Sequence, residues 1–168
     1  MKKLKIGDLF TIPISDSKTG FGQIVKIPVL NGVFVMVVFK QVYSGKDWPS
    51  LDEIIDDDIL FLGYTMDALI YHKQWQVIGN KSSGLNKIEL PYYKLGTPPN
   101  MLIVNYKGDK VRKAKKEEFD QLDYETSVAP IRYENALKAY YKLKVWREDY
   151  NELLYERTPE SIAIVEGK

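Results

Sequence analysis

The sequence predicts an α+β fold in which a curved antiparallel β-sheet is followed by a long amphipathic helix. Three observations carry this reading. An Asn31-Gly32 turn separates two apolar runs rich in β-branched and aromatic residues, short extended segments succeed one another as far as Val111, and apolar residues recur every three or four positions from Tyr133 to Leu154. Residues 1–112 are therefore expected to be mainly β and residues 113–168 a helical extension, within a single domain spanning 1–168.

In chain order, residues 9–14 alternate around Pro13 and run into the polar loop 15–20, built from turn-forming Ser, Asp, Thr and Gly. Residues 21–30 and 33–39 flank the Asn-Gly dipeptide, which favours the positive φ of a tight hairpin turn. The second run, Val33-Phe34-Val35-Met36-Val37-Val38-Phe39, does not alternate with polar residues, so it reads as a strand covered on both faces. Ser50-Leu51-Asp52-Glu53 has the S-x-x-E spacing of a capping box and opens a short helix with Ile54 and Ile55 inward. Further extended candidates are 59–64, 68–71, 75–78 and 101–106, the last followed by a Gly108-Asp109 turn and a strand through Val111. Residues 115–122 suit a short helix. Pro130 suits the first turn of the long helix and Thr158-Pro159 its end. At 1.5 Å per residue that helix would reach roughly 35–40 Å, so a break near 149–151 or packing along a sheet edge is expected.

Composition removes several function classes. Twenty-four cations against twenty-three anions give a net charge of +1, so any attraction to nucleic acid or anionic lipid must be local. With no cysteine and the single histidine His72, disulfides, thiolate zinc sites, cysteine nucleophiles and multi-histidine metal cages are excluded, and no cofactor is expected. The start of the chain carries cations but no apolar core of signal-peptide length, which reads as cytoplasmic. The most apolar stretch, 27–39, is broken by Pro28 and Asn31-Gly32 and falls short of the ~20 residues of a membrane span.

Two charge clusters stand out. Asp52, Glu53, Asp56, Asp57 and Asp58 place five carboxylates within seven residues. Ile54-Ile55 interrupts the alternating oxygen pattern of a calcium loop, which leaves a solvated helix face or a patch that meets a basic surface on a protein partner. Lys110, Arg112, Lys113, Lys115 and Lys116 form the opposite cluster and offer the alternative reading, a small-barrel nucleic-acid-binding module or nuclease. Glu117, Glu118 and Asp120 cancel much of that field and no aromatic residue alternates with the cations, so nucleic acid is disfavoured. A third reading places a hydrolytic site at His72, Asp67 and Tyr71, but no nucleophile stands at a diagnostic spacing. The G-x-G at Gly20-Phe21-Gly22 lacks the third glycine and following helix of a dinucleotide site. Tyr133, Tyr140, Tyr141, Trp146, Tyr150 and Tyr155 lie mostly at helical spacing and read as core or half-core residues.

The opening Ile6-Gly7-Asp8-Leu9-Phe10-Thr11-Ile12-Pro13-Ile14, with Asp16 and Gly20-Phe21-Gly22-Gln23-Ile24-Val25, resembles a family of bacterial immunity proteins, immunity protein 26 of polymorphic toxin systems. Trp75-Gln76-Val77-Ile78-Gly79 followed by Leu90-Pro91 is similar to that family's second motif, and the resemblance spans roughly residues 3–106. A Gly-Asp before a strand also opens small SH3-like barrels, so the sheet is expected to be partly closed in that manner. The resemblance implies a non-enzymatic protein that binds and neutralises a cognate toxin. Gly7, Asp8, Gly20, Gly22 and Gly79 are then expected to define the fold. Asp52, Glu53, Asp56, Asp57 and Asp58, with Trp48 as a neighbouring anchor, are expected to supply the toxin contact, because charge complementarity speeds association with a basic toxin. A monomer is expected over a homodimer.

Overall fold

The computed structural model describes residues 3–28, 32–45 and 47–168. Five strands, β1 (Asp8–Pro13), β2 (Lys18–Lys26), β3 (Val33–Ser44), β4 (Ile59–Met66) and β5 (Val77–Asn80), form an antiparallel sheet in the order β4-β3-β2-β1-β5. Residues 29–31 of the expected hairpin turn lie outside the described residues; Gly32 follows at φ +76°, and its carbonyl accepts the Asp67 N–H at 3.0 Å.

The twelve-residue β3 is the spine of the sheet, buried on both faces as its unbroken apolar run requires. Phe34, Met36 and Val38 join Phe10, Ile24, Phe61 and Trp75 in one core, while Val35, Val37 and Phe39 join Leu9, Phe21, Ile54 and Leu62 in the other. Between Gly20/Gly22 and Val42/Val38 the β2–β3 register slips, and a bulge of this kind bends the strand. Gly22 is required here, because a Cβ would stand 2.5 Å from the Phe10 ring.

Three further strands, β6 (Tyr92–Thr97), β7 (Asn100–Asn105) and β8 (Lys110–Lys113), form a separate antiparallel sheet. The expected SH3-like closure is therefore corrected: the strands divide between two open sheets, and among the described residues no ladder joins β4 to β5. Between the strands lie the short helices α1 (Leu51–Ile55) and α2 (Ala68–Tyr71), and α3 (Lys116–Gln121) follows β8. Residues 68–71, expected to be extended, are thus helical. Four apolar residues fit either period, and Tyr71 and His72 donate backbone N–H bonds back to Asp67 and Ala68 at 2.7 and 3.0 Å.

The single long C-terminal helix is also corrected. It is two helices, α4 (Pro130–Tyr140) and α5 (Arg157–Glu166), with a 3₁₀ segment at Glu148–Leu153 between them. Lys142 takes φ +62°, which stops α4 well before the expected break. Pro130 does occupy the first turn of α4, whereas Pro159 lies in the first turn of α5 instead of marking an end. Tyr133, Ala136 and Leu137 of α4 and Tyr150 and Leu153 beyond it pack on the Phe10/Trp75 face of the larger sheet.

This C-terminal part also covers the outer edge of β4. The Tyr155 N–H donates to Leu60 O at 2.8 Å, Val128 N–H to Tyr64 O at 3.2 Å, and the Thr65 hydroxyl to Val128 O at 2.7 Å, so polar groups an exposed edge would offer to another chain are occupied. Among the described residues no helix is long and apolar enough to cross a membrane.

Candidate functional site

The acidic segment is fixed by its own polar side chains. Ser50 caps α1 by accepting the Glu53 N–H at 3.3 Å, the first half of the expected capping box, while no return bond from the Ser50 N–H to the Glu53 carboxylate is present among the described residues; Asp52 and Glu53 lie in the first turn, where carboxylates complement the free amides. Ile54 is fully buried against the second core, which turns the charged positions outward. Asp57 accepts the Gln41 N–H at 2.7 Å and the Asp58 N–H at 2.8 Å, tying the α1–β4 connection to β3. Asp52 faces Lys81 at 3.1 Å. Among the described residues, Glu53, Asp56 and Asp58 form no ion pair and point to solvent. Burial, reinforced by the charges of Asp57 and Glu53, pushes the Tyr43 hydroxyl up, a sign of the negative field over this face. Trp48 rests edge-on against Phe21, ring centres 5.5 Å apart, and stays 37% exposed, so one side is anchored and the other available. No three carboxylates or imidazoles converge in a metal-binding group among the described residues.

Two shallow grooves meet at Tyr155, and the first of them adjoins α1. The first, about 430 Å³, has Ile55, Ile59 and Ile88 among its apolar lining, Asp52 and Asp56 on one rim and Lys87 on the other. The second, about 450 Å³, is lined by Leu60, Tyr140 and Leu154, with Asp58, Glu156 and Lys40 at its edge. Ile59 and Tyr155 line both. A recess of about 50 Å³ beside Gly63, Tyr93 and Tyr133 has room for no more than a few waters.

The basic segment is partly committed within the fold. Arg112 forms a two-pronged pair with Glu118 at 2.8 and 2.6 Å and also donates to Val165 O at 2.9 Å, joining β8 to α3 and α5. The same Glu118 carboxylate accepts the Lys115 N–H at 2.8 Å, and these hydrogen bonds, the guanidinium foremost, hold its pKa down to about 2. Lys116 pairs with Asp120 at 2.7 Å. Lys110, Lys113 and Lys115 remain exposed.

His72 caps α2 from an exposed position, its ring edge-on to Tyr71 with centres 5.1 Å apart. No hydrogen bond joins its imidazole to Asp67 among the described residues, so the orienting contact of an acid–base pair is not formed.

Trp48, through Phe21, and the acidic segment, through Ile54, both pack on the second core, and the grooves add Tyr155, Ile88, Leu154 and Glu156 to the acidic segment. No local signal links them, since residues about 100 positions apart share the grooves.

The profile of one protein family, described as Immunity protein 26, matches residues 5–100. No curated protein and no solved structure gives a significant match to the chain.

Proposed function

Because the chain belongs to the Immunity protein 26 family, we propose that it neutralises a cognate toxin by binding it, without catalysis, through the acidic face of α1. The observation that carries this reading is the division of labour among the five carboxylates. Asp57 and Asp52 hold the segment in place, which leaves Glu53, Asp56 and Asp58 exposed, while the half-exposed ring of Trp48 packs on Phe21 of the second core that also receives Ile54. A fixed negative face with an aromatic anchor suits a basic protein surface: the charges steer the encounter and the indole supplies buried contact area. The protein acts as a monomer in the cytoplasm, where a toxin made by the same cell or delivered by a neighbour would be met.

The test is co-expression with the product of the gene immediately upstream. A stoichiometric complex that survives moderate salt, together with rescue of growth, supports the reading. Charge reversal at Glu53, Asp56 and Asp58 should then weaken the complex by ~10-fold or more. Unchanged affinity in that variant removes the acidic face from the contact.

A further inference from the structure

Resting on this reading, we infer that the toxin-contact surface extends from α1 into the paired grooves around Tyr155, and that it receives a toxin segment whose aliphatic side chains stand beside lysine or arginine. The grooves are continuous with the acidic segment, because Asp52 and Ile55 of α1 and Asp56 just after it form a wall of the first, and Asp58 lines the second. Their lining mixes apolar and polar groups: Ile55, Ile59 and Ile88 in the first and Leu60, Leu154 and Tyr140 in the second offer places to bury aliphatic side chains, while the charged groups beside them meet the polar part of an entering segment.

The ridge between them is fixed before anything binds. The Tyr155 N–H donates to Leu60 O at 2.8 Å, and its hydroxyl accepts the Glu89 N–H at 3.2 Å. A ridge held at both ends loses little freedom on binding, which favours a defined pair of side chains straddling it. The rims select charge. Asp52, Asp56, Asp58 and Glu156 face the grooves against Lys40 and Lys87, and Asp52 is already opposed by Lys81, so the unopposed excess is negative and matches cations flanking the aliphatic anchors.

The surface also joins two parts of the chain. Ile55, Ile59 and Ile88 lie within the stretch that matches the family, whereas Tyr140, Leu154, Tyr155 and Glu156 lie beyond it. Toxin choice is therefore set in part by the C-terminal third, which supplies Tyr155 and, with Tyr140, Leu154 and Glu156, half of the second groove's lining.

The inference is tested on the full-length chain with the upstream gene product as probe, by titration calorimetry at moderate salt. Tyr140→Glu and Glu156→Lys, both at exposed positions, should each weaken binding by ~10-fold or more, and Lys87→Glu should tighten it a few-fold, which structural damage cannot do. Val145→Glu, at an 85% exposed residue outside the grooves, should leave it unchanged. Wild-type affinity in both Tyr140→Glu and Glu156→Lys, with weakened binding on reversal of Glu53, Asp56 and Asp58, overturns the inference and leaves the α1 reading standing. Weaker binding by Lys87→Glu overturns the cationic character assigned to the toxin segment. No complex with the unaltered chain overturns both readings.

Discussion

The indole N–H of Trp75 donates to one carboxylate oxygen of Glu134 at 2.9 Å, and Lys138 donates to the other at 2.8 Å. Trp75 is 1% exposed and stacks on Phe10 at 5.2 Å, so a tryptophan of the family-matched stretch is anchored by α4, which lies outside it. The larger sheet and the C-terminal helices therefore share one core. Replacing Glu134 by Ala should destabilise the protein by about 2–3 kcal/mol, since it leaves a buried indole N–H unpartnered and Lys138 without its counter-charge. Urea unfolding followed by tryptophan fluorescence measures this.

The same packing predicts that a fragment ending at residue 112 will not unfold cooperatively. It lacks Tyr133, Leu137, Tyr150 and Leu153, which cover one whole face of the sheet, and each such side chain contributes roughly 1.5–3 kcal/mol when buried. Circular dichroism of the fragment during thermal unfolding should show no sigmoidal transition, where the full chain shows one.

Gly22→Ala tests the bulged β2–β3 crossing. The added methyl would lie 2.5 Å from Phe10 Cζ and 3.0 Å from Val37 O, inside a core with no room to yield. Overpacking of this kind should lower stability by about 1–3 kcal/mol, read from the shift of the denaturation midpoint.

The Arg112–Glu118 pair predicts a defined acid dependence. Glu118 ionises at about 2 in the folded protein against 4.5 for the ordinary carboxyl, because the Arg112 guanidinium and the Lys115 N–H favour its charged form. Its contribution is therefore fully present above pH 4.5 and is lost as the pH falls towards 2. The melting temperature of wild type should exceed that of Glu118→Gln at pH 6, and the gap should narrow progressively between pH 4.5 and pH 2.5.

Within the acidic segment, neighbours should behave differently. Asp57→Lys removes the acceptor of the Gln41 and Asp58 amides and should destabilise the fold by about 0.5–1.5 kcal/mol, whereas Asp56→Lys and Asp58→Lys should leave stability within about 0.5 kcal/mol and weaken toxin binding instead. Thermal melts and titration of the same variants separate the two effects.

What the sequence made legible follows the range of the interactions. The Ser50 cap, the two-faced burial of β3 and the Gly108-Asp109 turn are local and follow from neighbouring residue types. The end of α4 is not, because no glycine or proline marks Lys142. Apolar spacing continues past it, since Tyr150 and Leu153 return to the same core after the chain has left the helix. β6 carries no local signal of its own: Tyr92–Thr97 becomes a strand through pairing with β7 and through contacts to Asp123 and Ser161 far along the chain. The acidic face was legible as a run of carboxylates. The role of Asp57 as an internal acceptor and the groove beside α1 depend on Gln41 and Tyr155, whose proximity only the fold creates.

The most direct test of toxin neutralisation through the α1 face is the dissociation constant for the upstream gene product, measured with wild type and with the Glu53→Lys, Asp56→Lys, Asp58→Lys triple variant. The account predicts a tight one-to-one complex that weakens by ~10-fold or more in the variant while the melting temperature holds, and loss of growth rescue in parallel. Equal affinity for the two proteins, with rescue intact, would contradict it.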